Sequence, residues 1–553
     1  MMVRQTVAFA ISAIVALFAV FPLTDTDIWW HLACAREWVT TWTPVREPVV
    51  NVHEFFQQTV AFVYNVGGAS LLVVFKAILW GCVFALFLWP SVRNPQRTMP
   101  QKMLCTCHPE NASERLTPDL QDNVMANPVG VKQSILLLAI FATILFIFRY
   151  QFEIRPVLFS LLFLGVYWNI LPRLIIGNVS RHSSFWVLLV FVLQWLWCKS
   201  QGLYILGPIF ACIVFVSGHK LWNFRAWKKL EPSKCMLPFI LVMMLLTMPF
   251  AHREGLNLFL YPFGLLDRLL GLSPSAAVFA SEIAENRSPI TLLMAGENVL
   301  QSSLMIVLCV AGIVAAVLRL RQSGSVENTS LTNSTERVEF YFGNAGFCAL
   351  WLLVTAILAL IAERNFVLFL PVFFAVVLRS FGSAHTPLNS KISQPSTSYS
   401  HLSSLVFRLS SLVLIAFLLG LWVKSLLAYD SMVAYQRVPV AAAEWMKSHP
   451  HSGRLFNDDR AGGYLAFVNP SDSTYIDGRF ILKTAKFFEN YLRYAESPRV
   501  FLHDAELQNM DRVVLPLRYY ARWDKLLAAL DSVDNWHVVY RDTLFVVMDR
   551  TER

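Results

Sequence analysis

Eleven long apolar runs recur along this chain and leave few folds open to it. Each run is 13 to 21 residues long and contains at most one charged side chain. A helix of about 20 predominantly apolar residues crosses the hydrocarbon core of a bilayer. The pattern predicts an α-helical polytopic membrane protein with about 11 spans. The runs cover residues 7–23, 69–89, 134–148, 157–171, 185–197, 203–216, 236–250, 299–318, 345–360, 365–378 and 409–427.

Composition supports a membrane protein over a soluble one. Hydrophobic residues make up 56% of the chain and charged residues 15%, whereas a soluble domain carries about 25% charged residues. The first run follows Arg4 as a signal peptide would, but no small-residue cleavage site comes after it. We therefore interpret residues 7–23 as a span.

Basic residues predict the orientation of the spans. With a cytoplasmic N-terminus, the inner segments hold 19 Lys and Arg, and the outer loops before the C-terminal region hold 9. Cytoplasmic loops retain basic residues, so residues 24–68 and 251–298 are expected to be outer loops. An odd number of spans then places the C-terminal region outside. The net charge of +9 is interpreted as this topology signal, and no nucleic-acid partner is expected.

Two regions are expected, a membrane domain over residues 1–429 and a small extracytoplasmic α/β domain over residues 430–553. The C-terminal pattern predicts helices over 440–448 and 522–530, and strands over 454–457, 464–468, 474–476, 512–517, 537–540 and 544–548. Gly462 and Gly463 are expected to form a tight turn before a strand. Asp477 and Arg479 are expected to form an ion pair in a turn, in a structural role rather than a substrate-binding one.

The cysteines and the inner segments carry little expected chemistry. None of the nine cysteines lies beyond Cys348, so the C-terminal domain cannot be a disulfide scaffold. The sequence CTCH at Cys105–His108 lacks a second ligand pair at a zinc-like spacing, and it is expected to bind no metal. Residues 91–132, 322–338 and 380–404 are interpreted as flexible linkers.

The segment TDTDIWWHLACAREW follows the first span directly and contains the strongest candidates for chemistry. On a helix, Asp27 and His31 would share a face at i,i+4 spacing, and a carboxylate at a membrane surface can act as a general base. Trp29 and Trp30 are expected at headgroup depth, on an amphipathic helix that lies along the membrane. The alternative is that Asp25 and Asp27 only cap this helix.

Other charged residues of the outer side favour a functional site. Short outer turns hold Arg149, Glu153 and Arg155 in RYQFEIRP and Glu363, Arg364 and Asn365 in ERN; the second long outer loop holds Glu282 and Glu285. Ionisable residues at membrane depth often mark a substrate path. Guanidinium groups bind phosphate oxygens bidentately, although a single arginine can equally extend its charge toward lipid headgroups.

Several of these motifs together resemble a known set of proteins. TDTDIWWHLA, NVHEFF, EIAENRSP, AERNFVLFLP and LFNDDRAGGYLAFV…STYIDGRF are similar, in this order, to a large set of bacterial multi-span proteins that resemble GT-C type glycosyltransferases. That superfamily includes protein mannosyltransferases and oligosaccharyltransferases. This chain differs from the set at Thr26 and Phe55, where the set usually has Pro and Trp. It also lacks the tryptophan-tryptophan-aspartate motif, so the sequence does not support protein N-glycosylation.

The resemblance implies a function and a set of site residues. It implies a glycosyltransferase in the bacterial inner membrane that transfers a sugar from a polyprenyl-phosphate donor to an acceptor on the outer face. Asp25 is expected to be the base or the ligand of a divalent cation such as Mg or Mn, with Asp27 the weaker candidate and His31 its neighbour. Arg155, Arg364 and Arg149 are expected to bind the donor phosphate. Glu54, Glu282, Glu285 and Asn365 are further candidates.

Two alternatives to the enzyme remain open. A lipid-linked sugar flippase or transporter is disfavoured because Lys76 and Lys424 are the main ionisable residues within the spans, whereas transport paths usually carry polar groups near mid-membrane. The third interpretation is a non-catalytic membrane assembly protein. Loss of activity on alanine replacement of Asp25 would separate the enzyme from both.

The basic asymmetry makes a topology prediction. Reporter fusions after Gly68 and after Arg553 should both report the outer side, because positively charged inner loops place the two segments on the same face. Alkaline phosphatase and green fluorescent protein fusions provide the measurement. Opposite locations for the two reporters would contradict the predicted topology.

Overall fold

A computed structural model describes residues 2–45, 50–92, 128–176, 183–218, 236–252, 255–270, 273–325, 346–380, 397–518 and 521–551. The segment Cys105–His108 and most of the three predicted linkers lie outside these residues. The first part of the chain is helical. Its helices are α1 (Met2–Phe18), α2 (Asp27–Cys34), α3 (Glu54–Val92), α4 (Pro128–Ile147), α5 (Pro156–Ile176), α6 (Ser183–Cys198), α7 (Leu206–Gly218), α8 (Met236–Ala251), α9 (Asn257–Leu270), α10 (Pro274–Glu282), α11 (Pro289–Met294), α12 (Val299–Ser325), α13 (Gly346–Ile361), α14 (Phe366–Ser380) and α15 (Thr397–Leu427).

All eleven apolar runs fall largely on helices of this region. The helices α3, α5, α12 and α15 are long and apolar enough to cross a membrane, and six shorter apolar helices accompany them. The number of spans therefore stays a prediction. Phe407, Val413 and Phe417 of α15 expose 66%, 65% and 59% of their surface. A soluble chain rarely exposes so continuous an apolar face, and contact with lipid explains it.

Helix α14 lies at the centre of this helical region. Nearly all of its residues are buried, and Phe374 stacks on Phe141 of α4 with ring centroids 3.9 Å apart. A helix that is apolar on every side is expected in the interior. Its N-terminus follows the turn that carries Glu363 and Arg364, so the central helix holds that turn firmly.

The predicted first outer loop is partly helical. Helix α3 begins at Glu54, well before the expected end of the loop at residue 68, and its helical geometry breaks at Gly67 and Gly68. Gly68 has a φ of +62°, a conformation that only glycine adopts without strain. The break divides α3 into a part beside the outer loop and a part that carries the apolar run.

The C-terminal region contains a small mixed sheet flanked by helices. Its strands follow the order β1-β2-β4-β3, with β1 and β2 parallel and the other pairs antiparallel. The expected α/β character of this region is therefore observed. Its elements are α16 (Val440–Ser448), β1 (Arg454–Asn457), α17 (Asp459–Val468), α18 (Ala485–Glu496), α19 (Pro498–Leu507), β2 (Met510–Pro516), α20 (Asp524–Asp531), β3 (Trp536–Arg541) and β4 (Phe545–Arg550).

Two predicted strands of this region are wrong. Residues 464–468 belong to α17, whose N-terminus is capped by the Asp458 carboxylate, which accepts a hydrogen bond from the Arg460 N–H. Residues 474–476 lie outside the sheet and pair instead with the first outer loop, where Thr474 forms an isolated bridge with Thr41. The alternating apolar residues of both segments are buried between two layers of the fold. A single sequence cannot distinguish this pattern from the pattern of a strand.

The two glycines of α17 permit close packing rather than a turn. A Cβ on Gly462 would collide with the Ile476 carbonyl oxygen, and a Cβ on Gly463 would lie 2.9 Å from the Trp30 nitrogen. The expected turn at these glycines is therefore wrong. Glycine in a helix costs about 0.5–1 kcal/mol relative to alanine, and here it allows α17 to approach both the 474–478 segment and α2.

Helix α2 lies inside the protein and not along the membrane surface. Every residue from Ile28 to Cys34 is buried, and the Trp29 ring packs edge-on against Tyr464 of α17, with centroids 4.8 Å apart. The expectation that the apolar face of α2 contacts lipid is therefore wrong, while the depth of Trp29 and Trp30 in the membrane stays a prediction. The apolar face of α2, which the sequence suggested would contact lipid, packs instead against the C-terminal region.

One hydrophobic core joins the helical region to the C-terminal region. It runs from the membrane helices through α2 to residues such as Leu465 and Val514. A second core fills the far side of the sheet and also takes in Phe279 of α10, which stacks on Phe488 of α18 at 5.1 Å. The outer loops and the C-terminal region therefore pack as one body around the segment that follows α1.

Replacement of Gly462 tests this close packing. We expect Gly462→Ala to lower the free energy of unfolding by about 2 kcal/mol or more, because the added methyl group overlaps a backbone carbonyl that cannot move freely. Gly420→Ala is the control, since a Cβ at Gly420 meets nothing within 4 Å. Thermal unfolding of both variants in detergent measures the difference. Equal stability of the two variants would contradict the predicted close contact.

Candidate functional site

Arg155 joins two carboxylates from distant parts of the chain. Its Nε donates to Asp25 Oδ2 at 2.7 Å and its Nη2 to Asp25 Oδ1 at 3.2 Å. The same guanidinium donates to both carboxylate oxygens of Glu285, at 2.5 and 2.8 Å. Two bidentate ion pairs on one arginine use the planar fork of the guanidinium fully. Arg155 is therefore the hub of a charged cluster on the predicted outer side.

Three chain segments meet at this hub. Asp25 lies between α1 and α2, Arg155 immediately precedes α5, and Glu285 lies in the short 3-10 helix Ala284–Asn286. The Asp25 side chain is 4% exposed, and Asp25 Oδ1 also accepts a hydrogen bond from the Asp27 N–H at 3.2 Å. This contact sets the start of α2, which carries Asp27.

The hub shifts the pKa of its members in opposite directions. Although burial opposes it, the two carboxylates raise the pKa of Arg155 well above its ordinary value. Burial also opposes the charge of Glu285, yet Arg155 lowers the pKa of this carboxyl group to about 2. All charges of the Arg155–Glu285 pair are therefore present at neutral pH.

Asp27 behaves differently from its neighbours. Burial, reinforced by the negative charges of Asp25 and Glu285, raises the pKa of Asp27 from 3.8 to about 8. No ion pair joins Asp27 to a basic side chain within the described residues. A carboxylate whose pKa lies near the working pH can both accept and release a proton. Asp27 therefore has the titration behaviour that a general base requires.

Arg364 supplies a positive charge to the same cluster. Its Nη1 donates to the Asn286 amide oxygen at 2.7 Å, a neutral partner, and the side chain reaches solvent. Burial of the surrounding turn lowers the pKa of Arg364, while the nearby Glu285 charge acts in the opposite sense. Arg364 therefore offers donor groups to an anion beside the Arg155 hub.

A second charge pair lies behind the hub. Lys76 of α3 is fully buried, donates to the Phe21 carbonyl oxygen at 3.1 Å and lies 3.8 Å from Glu153 Oε2. The other oxygen of Glu153 accepts a hydrogen bond from the Thr24 hydroxyl group. The Lys76–Glu153 pair supports the segment that carries Asp25, and it does so from the membrane side of that segment.

His31 lies one turn beyond Asp27, as the i,i+4 spacing predicted. Its ring is 2% exposed and packs between Trp30 and Phe56, with a centroid distance of 4.8 Å to Phe56. Burial, together with the neighbouring His53, lowers the pKa of His31 well below its ordinary value. His31 is therefore neutral at physiological pH. Its Nδ1 has no hydrogen-bond partner within the described residues.

Four other predicted site residues make their contacts away from the hub. Arg149 donates to the Phe146 carbonyl oxygen at 2.7 Å, and Asn365 donates to the Leu358 carbonyl oxygen at 3.0 Å. The remaining two are acidic: Glu54 pairs with Lys199 at 2.8 Å, and Glu282 pairs with Arg522 at 3.1 Å. None of these contacts joins the residue to Asp25, Asp27 or Arg155.

The contacts of Asp25 do not fit a resident divalent cation. Both Asp25 carboxylate oxygens accept hydrogen bonds from Arg155, so the guanidinium takes the place of a cation between Asp25 and Glu285. Within the described residues, no three or more His, Cys, Asp or Glu side chains are arranged to hold a metal ion. A divalent cation bound there would have to displace Arg155 from both carboxylates.

The C-terminal region holds the first outer loop from the other side. Arg479 pairs with Asp477, as predicted, at 2.5 Å, and it also donates to the Trp38 carbonyl oxygen and the Thr40 hydroxyl group. Lys483 donates to the Thr43 hydroxyl group at 2.6 Å. The ion pair therefore clamps the chain that follows α2.

Sequence reasoning missed several residues that shape the cluster. Asn286 and Arg437 lack a local sequence signal, because their role comes from contacts with Arg364 and with the Thr24 carbonyl oxygen, at 2.7 and 3.0 Å. Gly478 was part of the YIDGR motif, but its contact with Asp27 spans about 450 residues of sequence. The buried Lys76 was the clearest unused signal, since an ionisable residue inside a span is costly without a partner.

Comparison with solved structures identifies the fold. The crystal structure of the Archaeoglobus fulgidus oligosaccharyltransferase in the apo form matches 92% of this chain and 69% of its own, with a TM-score of 0.50 and 13% identity. The A. fulgidus oligosaccharyltransferase AglB, in complex with an inhibitory peptide and a dolichol-phosphate, matches 98% and 74% of the two chains, with a TM-score of 0.42 and 13% identity. No family model and no curated protein matches. The match to the apo structure shows that this chain has a fold like that of an oligosaccharyltransferase, which confirms the expected fold relationship.

Replacement of Arg155 tests how much this residue contributes to the stability of the fold. We expect Arg155→Ala to lower the free energy of unfolding by about 2 kcal/mol or more, because it leaves the buried Asp25 carboxylate without its counter-charge. Lys447→Ala is the control, since the exposed Lys447–Glu444 pair contributes about 0.5 kcal/mol. Unfolding by denaturant in detergent micelles measures both. Equal losses would show that Arg155 does not organise the cluster.

Proposed function

We propose that this protein is a membrane glycosyltransferase that moves a sugar from a polyprenyl-phosphate-type donor to an acceptor on the outer face of the membrane. The observation that carries the proposal is the cluster around Arg155, in which a titratable carboxylate lies together with an arginine that forms no ion pair within the described residues. The GT-C fold supports the proposal as a fold relationship. The membrane-like helices are consistent with a lipid-linked donor.

The proposed reaction is a single displacement at the anomeric carbon. The Asp27 carboxylate takes the proton of an acceptor hydroxyl group as the acceptor oxygen attacks that carbon. The bond between the anomeric carbon and the phosphate oxygen breaks, and the phosphate leaves with the electron pair. The configuration at the anomeric carbon inverts, and no covalent enzyme intermediate forms. General-base assistance of this kind contributes about 10²–10⁴ in rate.

Asp27, rather than Asp25, is our choice for the base. Both oxygens of Asp25 accept hydrogen bonds from Arg155, so both are already engaged in a structural ion pair. Asp27 has a pKa near 8 and a side chain that reaches solvent in part. In this assignment Asp25 is a positioning residue, because it binds the backbone N–H of Asp27.

Arg364 is our choice for the donor phosphate. Arg155 already neutralises two carboxylates, whereas Arg364 donates to the uncharged Asn286. A guanidinium with donors in excess binds phosphate oxygens strongly and stabilises the charge that develops on the leaving group. Arg155 then acts through the two carboxylates that it positions. His31, neutral and beside Trp30, can accept or donate a hydrogen bond to a substrate hydroxyl group.

The proposed site faces the periplasm of a bacterial inner membrane. This location follows from the predicted topology, in which the N-terminus is cytoplasmic and both the first loop and the C-terminal region are outside. A polyprenyl-phosphate donor would present its phosphate at the ends of the membrane helices, near the turn that carries Arg364. The first loop and the C-terminal region would enclose the acceptor.

The pH dependence of turnover tests the role of Asp27. A base must be deprotonated, and the pKa of Asp27 is raised to about 8, so the rate should rise with pH through about 8 and level off above about 9. Asp27→Asn should lower the rate on this high-pH plateau at least about 10²-fold, since it keeps the shape but loses the base. The measurement is release of polyprenyl phosphate from synthetic polyprenyl-phosphate sugars in proteoliposomes, with membrane extract as the acceptor.

Arg364→Ala complements this test through donor affinity. It should weaken binding of the polyprenyl-phosphate sugar at least tenfold, measured by native mass spectrometry or fluorescence quenching. The control is Arg493→Ala, because Arg493 lies on the exposed face of α18. Wild-type turnover by Asp27→Asn would reject Asp27 as the base. Donor binding with no turnover in any variant or in the wild type would favour the flippase or assembly interpretation.

A further inference from the structure

The segment 477–479 of the C-terminal region approaches α2 unusually closely. A Cβ on Gly478 would overlap the Asp27 Oδ1 atom and would lie 3.2 Å from both the Asp27 Cγ and the Trp30 Nε1. The Gly478 Cα therefore rests directly against the carboxylate that we assign as the base. No other glycine of the described chain touches Asp27 in this way.

Space, and not backbone conformation, requires glycine at this position. The φ of Gly478 lies outside the left-handed region, unlike that of Gly68. An alanine could therefore adopt the same backbone conformation without strain. Its methyl group, however, has no room unless either the Asp27 carboxylate or the 477–479 segment moves.

The 477–479 segment is the more firmly held of the two. Asp477 and Arg479 are 2% and 4% exposed and form a buried ion pair. The Arg479 N–H also donates to Asp477 Oδ1 at 2.9 Å, and its guanidinium reaches the Trp38 carbonyl oxygen and Thr40. A buried, fully hydrogen-bonded ion pair resists displacement, because breaking it costs several kcal/mol.

The Asp27 side chain is the part that yields. It forms no ion pair within the described residues, and rotation about its side-chain bonds can move the carboxylate by about an ångström. A methyl group at position 478 would therefore turn the carboxylate away from its present position. It would also remove water from around it, which favours the neutral form of the acid.

We propose that Gly478 is a positioning residue for Asp27, so that the C-terminal region forms one wall of the catalytic site. This inference rests on the proposed function, in which Asp27 is the base. The Asp477–Arg479 ion pair fixes the wall, Gly478 provides the clearance, and the carboxylate takes the single orientation that this clearance allows. The C-terminal region is then a part of the site and not a separate binding module.

The proposal predicts an effect on turnover that exceeds the effect on substrate binding. Misplacement of a catalytic group by about 1 Å can lower a rate about 10²-fold. Gly478→Ala should therefore lower kcat between 10- and 100-fold and change KM for the polyprenyl-phosphate sugar less than threefold. The midpoint of its pH–rate profile should move to a higher pH, because the methyl group desolvates the carboxylate. If Gly478 served only the stability of the fold, Gly478→Ala would not lower kcat more than it changes KM, and it would not move the midpoint of the pH–rate profile.

Gly453→Ala is the matched control. It adds the same methyl group in the same region, where a Cβ would lie 2.7 Å from the Asn509 carbonyl oxygen and from Asp511 Cγ, both remote from Asp27. Gly453→Ala can lower stability, but it should leave the pH–rate midpoint unchanged. A wild-type kcat and midpoint for Gly478→Ala would overturn the proposal, and so would an equal midpoint shift in Gly453→Ala.

If Gly478→Ala folds poorly, a double-mutant cycle of thermal stability still tests the proposal. The loss of thermal stability caused by Gly478→Ala should largely disappear in an Asp27→Ala background, because the overlapping carboxylate is then absent. The loss caused by Gly453→Ala should persist in that background. An undiminished loss for Gly478→Ala would show that it arises elsewhere and would overturn the proposal.

The outcomes separate this inference from the proposed function. Absence of turnover in the wild type would reject the proposed function, whereas wild-type turnover by Asp27→Asn would reject the base and, with it, the role of Gly478. If Asp27→Asn is inactive while Gly478→Ala keeps the wild-type kcat and pH profile, the base assignment stands and only the role of Gly478 is wrong.

Discussion

The double ion pair of Arg155 is the interaction on which the outer part of this structure depends. Three segments that are far apart in sequence would otherwise expose or bury like charges, since Asp25 and Glu285 are both acidic. The guanidinium satisfies both carboxylates at once, and its removal would leave the buried Asp25 charge without compensation, which is strongly destabilising. The orientation of α2, and with it the position of Asp27, follows from this contact.

A second constraint comes from the C-terminal region, which closes over the first outer loop. Three glycines allow this approach: Gly462 against the 474–478 segment, Gly463 against Trp30, and Gly478 against Asp27. The clamp of Arg479 on the Trp38 carbonyl oxygen then holds the exit of α2. The charged cluster is thus held by the membrane helices on one side and by a soluble fold on the other.

Local chemistry explains which expectations about the site were met. The i,i+4 spacing of Asp27 and His31 placed them on one helix, and the Asp477–Arg479 pair forms because two residues of opposite charge flank a single glycine. The expected lipid contact of the apolar face of α2 was wrong, because an apolar helical face packs equally well against lipid or against another part of the protein. A single sequence contains no pattern that shows whether such a face packs against lipid or against protein.

The amino-acid sequence by itself determined the helical membrane-like architecture, the α/β character of the C-terminal region and the resemblance to the GT-C fold. These properties follow from hydrophobic periodicity and local motifs, which act over about 20 residues or fewer. Only the tertiary structure decided that Arg155 binds both Asp25 and Glu285, that α2 is buried, and that Gly478 touches Asp27. Such contacts depend on how distant segments pack, because charge pairing and steric clearance act through space and leave no local pattern in the chain.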